Sequence, residues 1–211
     1  MRKLVVTLAS TILAFGLAGC GKGQAPEIKT LSIDKDGGIT HQVVGPLDQE
    51  YYQIEMSDLE SFVTERVEEY CAENGEQKVV LESAEEAGDN ILLSFRYVSP
   101  EDYSGFNHRA LYVGTLADAG NAGYELEAVP FVSAEGKASE VGYIEDWDKK
   151  QLIVLETKSG EEMLVNIPGK TLYVNQSAHN GQEITLVGKK AVKISNQEEA
   201  GTTSLSYIIY E

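Results

Sequence analysis

The stretch Gln151-Leu152-Ile153-Val154-Leu155-Glu156-Thr157 carries four aliphatic side chains in a row, so both alternate faces of an extended chain are apolar there. A strand of that kind is covered on both sides and belongs in the middle of a sheet. Around it, from 140 onward, no helix-period pattern survives. Segments 141–145, 161–167, 172–174, 184–187, 191–194 and 205–210 read as further short strands, the last including Tyr207-Ile208-Ile209-Tyr210. Ser159-Gly160, Pro168-Gly169, Asn180-Gly181 and Gly188 punctuate them with turn residues. Residues 140–211 are therefore expected to form a small all-β barrel or sandwich.

Ser133-Ala134-Glu135-Gly136-Lys137-Ala138-Ser139 is the best internal boundary, and 28–132 on its other side mixes element types. Segments 30–34 and 39–44 alternate about Lys35-Asp36-Gly37-Gly38, which predicts a hairpin. The string 34–39 also copies the middle of an EF-hand loop, but that register puts Val43 where the bidentate Glu belongs, so the hairpin is preferred. Ser57-Asp58-Leu59-Glu60 reads as a capping box opening a long amphipathic helix with Leu59, Phe62, Val63, Val67, Tyr70 and Cys71 on its apolar face. Gly75 ends it. Strands are expected at 78–81 and 91–98, joined by an acidic loop at 82–90. A helix over 100–107 follows, then a strand at 111–114, a brief helix at 116–121 and a strand at 126–132. The fold class predicted for the whole chain is α+β, with helices on one side of a largely antiparallel sheet.

Arg2 and Lys3, the apolar run 4–16 and the small residues of Leu17-Ala18-Gly19-Cys20 come in the order of a secretory signal. The 16 residues from Leu4 to Gly19 make a helix of only about 24 Å, against a hydrocarbon core of about 30 Å. A transmembrane anchor is thus disfavoured. LAGC resembles the lipobox of bacterial lipoproteins, which implies cleavage between Gly19 and Cys20 and diacylglycerol on the Cys20 sulfur. Residues 1–19 are then a cleaved signal peptide, and 20–27 a lipidated cysteine with a flexible tether. Two or three acyl chains suffice for stable anchoring.

The chain has 17 Lys plus Arg and 34 Asp plus Glu, a net charge of -17 that becomes -19 once Arg2 and Lys3 are removed. Phosphate-backbone binding rests on clustered cations that this sequence lacks, so nucleic acid is not expected as a partner. With Cys20 lipidated, Cys71 has no partner for an internal disulfide. Its place on the helix stripe predicts an inert buried thiol.

His41, His108 and His179 have no second His or Cys at ligand spacing, and no nucleophile elbow, zincin or Walker motif occurs. No metal, cofactor or catalytic residue is assigned. Two places carry candidate binding residues. Trp147, flanked by Glu145, Asp146 and Asp148, has the chemistry to stack on a sugar or hold a cation, although a turn indole more often packs against its own sheet. Asp102, Tyr103 and Asn107, in Asp102-Tyr103-Ser104-Gly105-Phe106-Asn107, gather polar and aromatic groups on a short helix, where capping and packing are the plainer roles.

DYSGFN (102–107), LYVGTLADA (111–119), IPGKTLYV (167–174) and SYIIYE (206–211), behind LAGC and EEYCAENG (68–75), resemble a group of uncharacterised lipoproteins from Gram-positive gut bacteria, the Firmicutes. The likeness covers most of 28–211 and implies no activity, substrate or cofactor. The expected function is a non-enzymatic binding module on the extracytoplasmic face of the cell membrane, held by covalent lipid, with an envelope protein or glycan as partner. The alternatives are an envelope glycan hydrolase using paired carboxylates, and a calcium-dependent structural module in which Asp34 and Asp36 are the first suspects.

Overall fold

The computed structural model describes residues 28–46, 48–49, 52–53, 55–176, 182–197 and 202–211. Gly19, Cys20, the leader, the tether and His179 lie outside the described residues. Among those described, no helix is long and apolar enough to cross a membrane.

In chain order the strands are β1 (Lys29–Ile33), β2 (Ile39–Pro46), β3 (Asp48–Gln49), β4 (Tyr52–Gln53), β5 (Val79–Ala87), β6 (Asn90–Tyr97), β7 (Leu111–Thr115) and β8 (Phe131–Ser133). After them come β9 (Ala138–Ser139), β10 (Gln151–Lys158), β11 (Glu162–Asn166), β12 (Thr171–Asn175), β13 (Gln182–Leu186), β14 (Ala191–Asn196) and β15 (Thr203–Tyr210). The helices are α1 (Met56–Asn74) and α2 (Pro100–Asn107), with 3₁₀ turns at Val141–Tyr143 and Trp147–Lys149.

The aliphatic run lies in β10, which pairs antiparallel with β7 on one side and β15 on the other. Leu152, Ile153, Val154 and Leu155 are all fully buried, as a strand apolar on both faces requires. Ile153 and Leu155 point into an inner core, while Leu152 and Val154 point into a second, outer one. The six-stranded sheet around them runs β7-β10-β15-β12-β8-β9, and a seven-stranded sheet runs β13-β14-β11-β1-β2-β6-β5. The inner core lies between the sheets, joining Leu31, Phe95 and Ile194 of one to Ile153, Leu155 and Ile208 of the other. The outer core puts Leu116, Leu126, Phe131 and Ile144, from the connection 116–150, over the far face of the six-stranded sheet.

The α+β class holds, but the expected division into 28–132 and 140–211 does not describe the sheets. β1 runs parallel to β11, with Lys29 opposite Met163, and β7 flanks β10, so both sheets draw strands from both sides of 133–139. Accordingly, 140–211 forms no barrel of its own among the described residues, and its strands divide between two facing sheets. Alternation tells which face of a strand is buried; it does not tell which strand lies alongside.

Several local expectations also change. The hairpin β1–β2 forms, with Ile33 opposite Ile39 and Gly37 at φ +86° in the turn. Helix α1 begins at Met56 behind Glu55, whose carbonyl accepts from the Asp58 and Leu59 amides, so Ser57 lies inside the helix and caps nothing. Phe62 is 61 % exposed, because the stripe that docks runs through Leu59, Val63, Val67, Tyr70 and Cys71. Cys71 is half-buried, and its thiol donates to the Val79 carbonyl at 3.4 Å. The predicted acidic loop at 82–90 is mostly strand, since β5 continues to Ala87 and turns at Gly88 with φ +66°. Residues 116–121 are turns, the strand at 126–132 shrinks to Phe131–Ser133, and 141–145 begins as a 3₁₀ turn.

Candidate functional site

Helix α2 spends its predicted binding residues on its own placement. The Ser99 hydroxyl accepts from the Asp102 amide at 3.3 Å and donates to the Asp102 carboxylate at 3.0 Å, and Lys78 joins that carboxylate at 3.4 Å. The Asn107 side-chain amide donates to the Tyr103 carbonyl at 2.9 Å, closing the last turn. Tyr103 is fully buried. Gly105 lets α2 approach α1 closely, since a Cβ there would stand 2.7 Å from the Tyr70 hydroxyl and the tyrosine would have to shift. The structure therefore gives Asp102, Tyr103 and Asn107 structural partners and does not bring them together with Trp147.

Tyr103 does touch a buried polar knot that the sequence did not disclose. Glu161 sits in the turn where the chain leaves β10 in one sheet for β11 in the other, and its side chain is 3 % exposed. Arg109 Nη1 donates to both carboxylate oxygens at 2.8 and 2.6 Å, Lys29 Nζ reaches Oε1 at 2.8 Å, and the Lys158 amide reaches Oε2 at 3.0 Å. Burial pushes the Glu161 carboxyl up, but these donors outweigh it and hold it at about 2. His41 lies beside the knot with both ring nitrogens unpartnered, edge-on to Tyr103 at 5.4 Å between ring centroids. Burial lowers its pKa to about 4 despite the favourable charge of Glu161, so the imidazole is neutral at neutral pH. Every acceptor direction of Glu161 faces a cation or amide, and its carboxylate is buried while Lys29 and Arg109 reach it from the part-exposed rim. The knot ties β1, α2 and the β10–β11 turn together.

Trp147 stands in a different setting. Asp146 adopts the left-handed conformation at φ +51°, which Asp tolerates better than most residues, and the 3₁₀ turn then presents the indole at the surface, 42 % exposed. It lines a cleft of about 860 Å³ cut into the outer layer of the six-stranded sheet. Leu116, Leu126, Tyr124 and Val141 supply apolar and aromatic lining, and Glu125, Glu127 and Glu140 supply carboxylates. All three carboxylates are exposed, and none makes an ion pair among the described residues. Of the nearby lysines, Lys149 pairs with Asp146 at 3.2 Å and Lys150 with Glu211 at 2.6 Å, while Lys137, three residues before Glu140, is exposed, makes no ion pair among the described residues and does not line the cleft.

No family model, curated protein or solved structure matches the chain.

The cleft consequently has to be read from its chemistry. An exposed indole, an apolar floor and unpaired carboxylates suit reversible binding of a ligand with an apolar or ring face. No group of three or more His, Cys, Asp or Glu side chains able to hold a metal occurs among the described residues. The Asp34 carboxylate of the suspected calcium string instead accepts from the Asp36 and Gly38 amides, both at 2.8 Å, stabilising the hairpin turn. A second hollow, along Glu60, Thr64 and Glu68, is lined by one face of α1 alone among the described residues. Trp147 was visible in the sequence as an oddity, whereas Tyr124, Glu125, Glu127 and Glu140 carried no motif. The sequence pattern read their region as a brief helix and strands, and the long connection that carries them is evident only in the fold.

Proposed function

We propose that this chain is a lipid-anchored, extracytoplasmic binding module that takes an envelope component, glycan or protein, in the Trp147 cleft and performs no catalysis. The observation carrying this reading is a half-exposed tryptophan at a large cleft that is borne on a long connection over a sheet buried on both faces. Recognition residues on such connections are positioned by the rigid scaffold beneath them. The LAGC sequence supports the anchor, and the acidic body adds no attraction to an anionic leaflet, so lipid on Cys20 does the attaching.

Trp147 is the one tryptophan in the chain, so its fluorescence reports the cleft directly. Envelope fragments that bind should change that emission saturably and raise the melting temperature, since a ligand selective for the native state stabilises it. Trp147→Ala should abolish the melting shift; a shift that survives the substitution overturns the assignment of the cleft. Turnover of a glycan, lost on replacing Glu125, Glu127 or Glu140, would overturn the non-catalytic reading. Cys20→Ala should eliminate lipid labelling and membrane retention, and retention of the variant would overturn the anchor.

A further inference from the structure

Resting on that reading of the cleft, we infer that its ligand presents a positively charged group on a hydrocarbon stem, an alkylammonium or guanidinium. Charge complementarity decides this. Glu125, Glu127 and Glu140 bring three exposed carboxylates to one cleft, and no lysine or arginine lines it. Lys149 and Lys150, the cations that flank Trp147 in sequence, are engaged by Asp146 and Glu211. An anionic ligand would meet uncompensated like charge, whereas a cation gains an attraction that a neutral ligand does not. A cation meets both the carboxylates and the negative face of the indole, which attracts it electrostatically. The half-buried Tyr124 and Val141 offer apolar surface to the stem of such a ligand, above the buried Leu116 and Leu126.

The same chemistry comes from a free diamine or from a lysine side chain of a basic peptide, and titration of the full chain separates them. Trp147 emission is followed while adding 1,5-diaminopentane, a trilysine peptide, the dicarboxylate glutarate or a neutral oligosaccharide. A saturable change with either amine and none with glutarate is expected. Tighter binding of trilysine identifies a peptide source, and equal or tighter binding of the diamine a free amine. The combined Glu125→Gln, Glu127→Gln and Glu140→Gln variant should weaken amine binding by about tenfold or more. Glu60→Gln, Glu65→Gln and Glu68→Gln together, on the exposed face of α1, should leave it unchanged. Equal weakening by both triple variants would mean diffuse attraction to an acidic protein and would overturn the inference. Saturation by the oligosaccharide without response to amines overturns the ligand class and leaves the cleft as a binding site. Silence toward all four probes, with no melting shift from any envelope fragment, overturns the binding function itself.

Discussion

Glu161 and the trio Glu125, Glu127 and Glu140 carry the same side chain on opposite sides of the six-stranded sheet, in contrary circumstances. Between the sheets, Glu161 is sealed and every oxygen is engaged by Arg109, Lys29 and the Lys158 amide. Outside, the three cleft carboxylates are exposed and make no ion pair among the described residues. Burying a charge is tolerable only with partners in place, so the inner carboxylate is committed to the fold. Those outside are free for a second molecule. The difference separates a carboxylate that stabilises this protein from those the proposed binding would use.

The sharpest way to break the comparison is to unpair the inner charge. Arg109→Ala should cost about 3–5 kcal/mol, because Glu161 remains buried with its main partner gone; urea unfolding measures it, and a loss below about 1 kcal/mol would mean that the knot is not structural. Leu155→Ala, toward the inner core, and Leu152→Ala, toward the outer one, should each cost about 2–5 kcal/mol by leaving a cavity. Only Leu152→Ala should also alter Trp147 emission, since it loosens the layer that carries the cleft.

Acid should act on the inner side next. The unfolded His41 imidazole, at 6.5, takes up a proton that the folded one refuses until about pH 4, so stability is full above 6.5 and falls as pH drops toward 4. That limb amounts to about 3 kcal/mol. Glu161, whose folded carboxyl is held at about 2 against 4.5, extends the loss as pH falls from 4.5 toward 2. Unfolding midpoints across pH 4 to 7.5 test this. His41→Phe should flatten the upper limb, even with Glu161, Arg109, Lys29 and Tyr103 still facing the site. The smallest effect belongs to the outer side: Trp147→Ala should change stability by no more than about 0.5 kcal/mol while removing ligand response. A large destabilisation would make the indole a packing residue after all.

What the sequence made legible was local. The two-sided burial of 152–155, the hairpin about Gly37, the span of α2 and the hydrophobic stripe of α1 apart from Phe62 all follow from periods and turn chemistry within a few residues. Partnership across the chain was not legible. Glu161 meets Lys29 at a separation of 132 residues and Arg109 at 52, and nothing in the neighbourhood of any of the three announces the others. The same blindness hid the pairing across 133–139, where β1 lies beside β11 and β7 beside β10. Trp147 could be picked out by its type alone, but the carboxylates that surround its cleft come from two loops separated by β8 and β9.

The first described strand has one more consequence. β1 lies between β11 and β2, hydrogen-bonded along both edges, and its first residue is pinned to Glu161. A load applied at residue 28 along the strand must shear both ladders together, not peel one bond at a time. Were the proposed anchor at Cys20 in place, pulling on it would load β1 in this shear geometry, with resistance shared between two ladders.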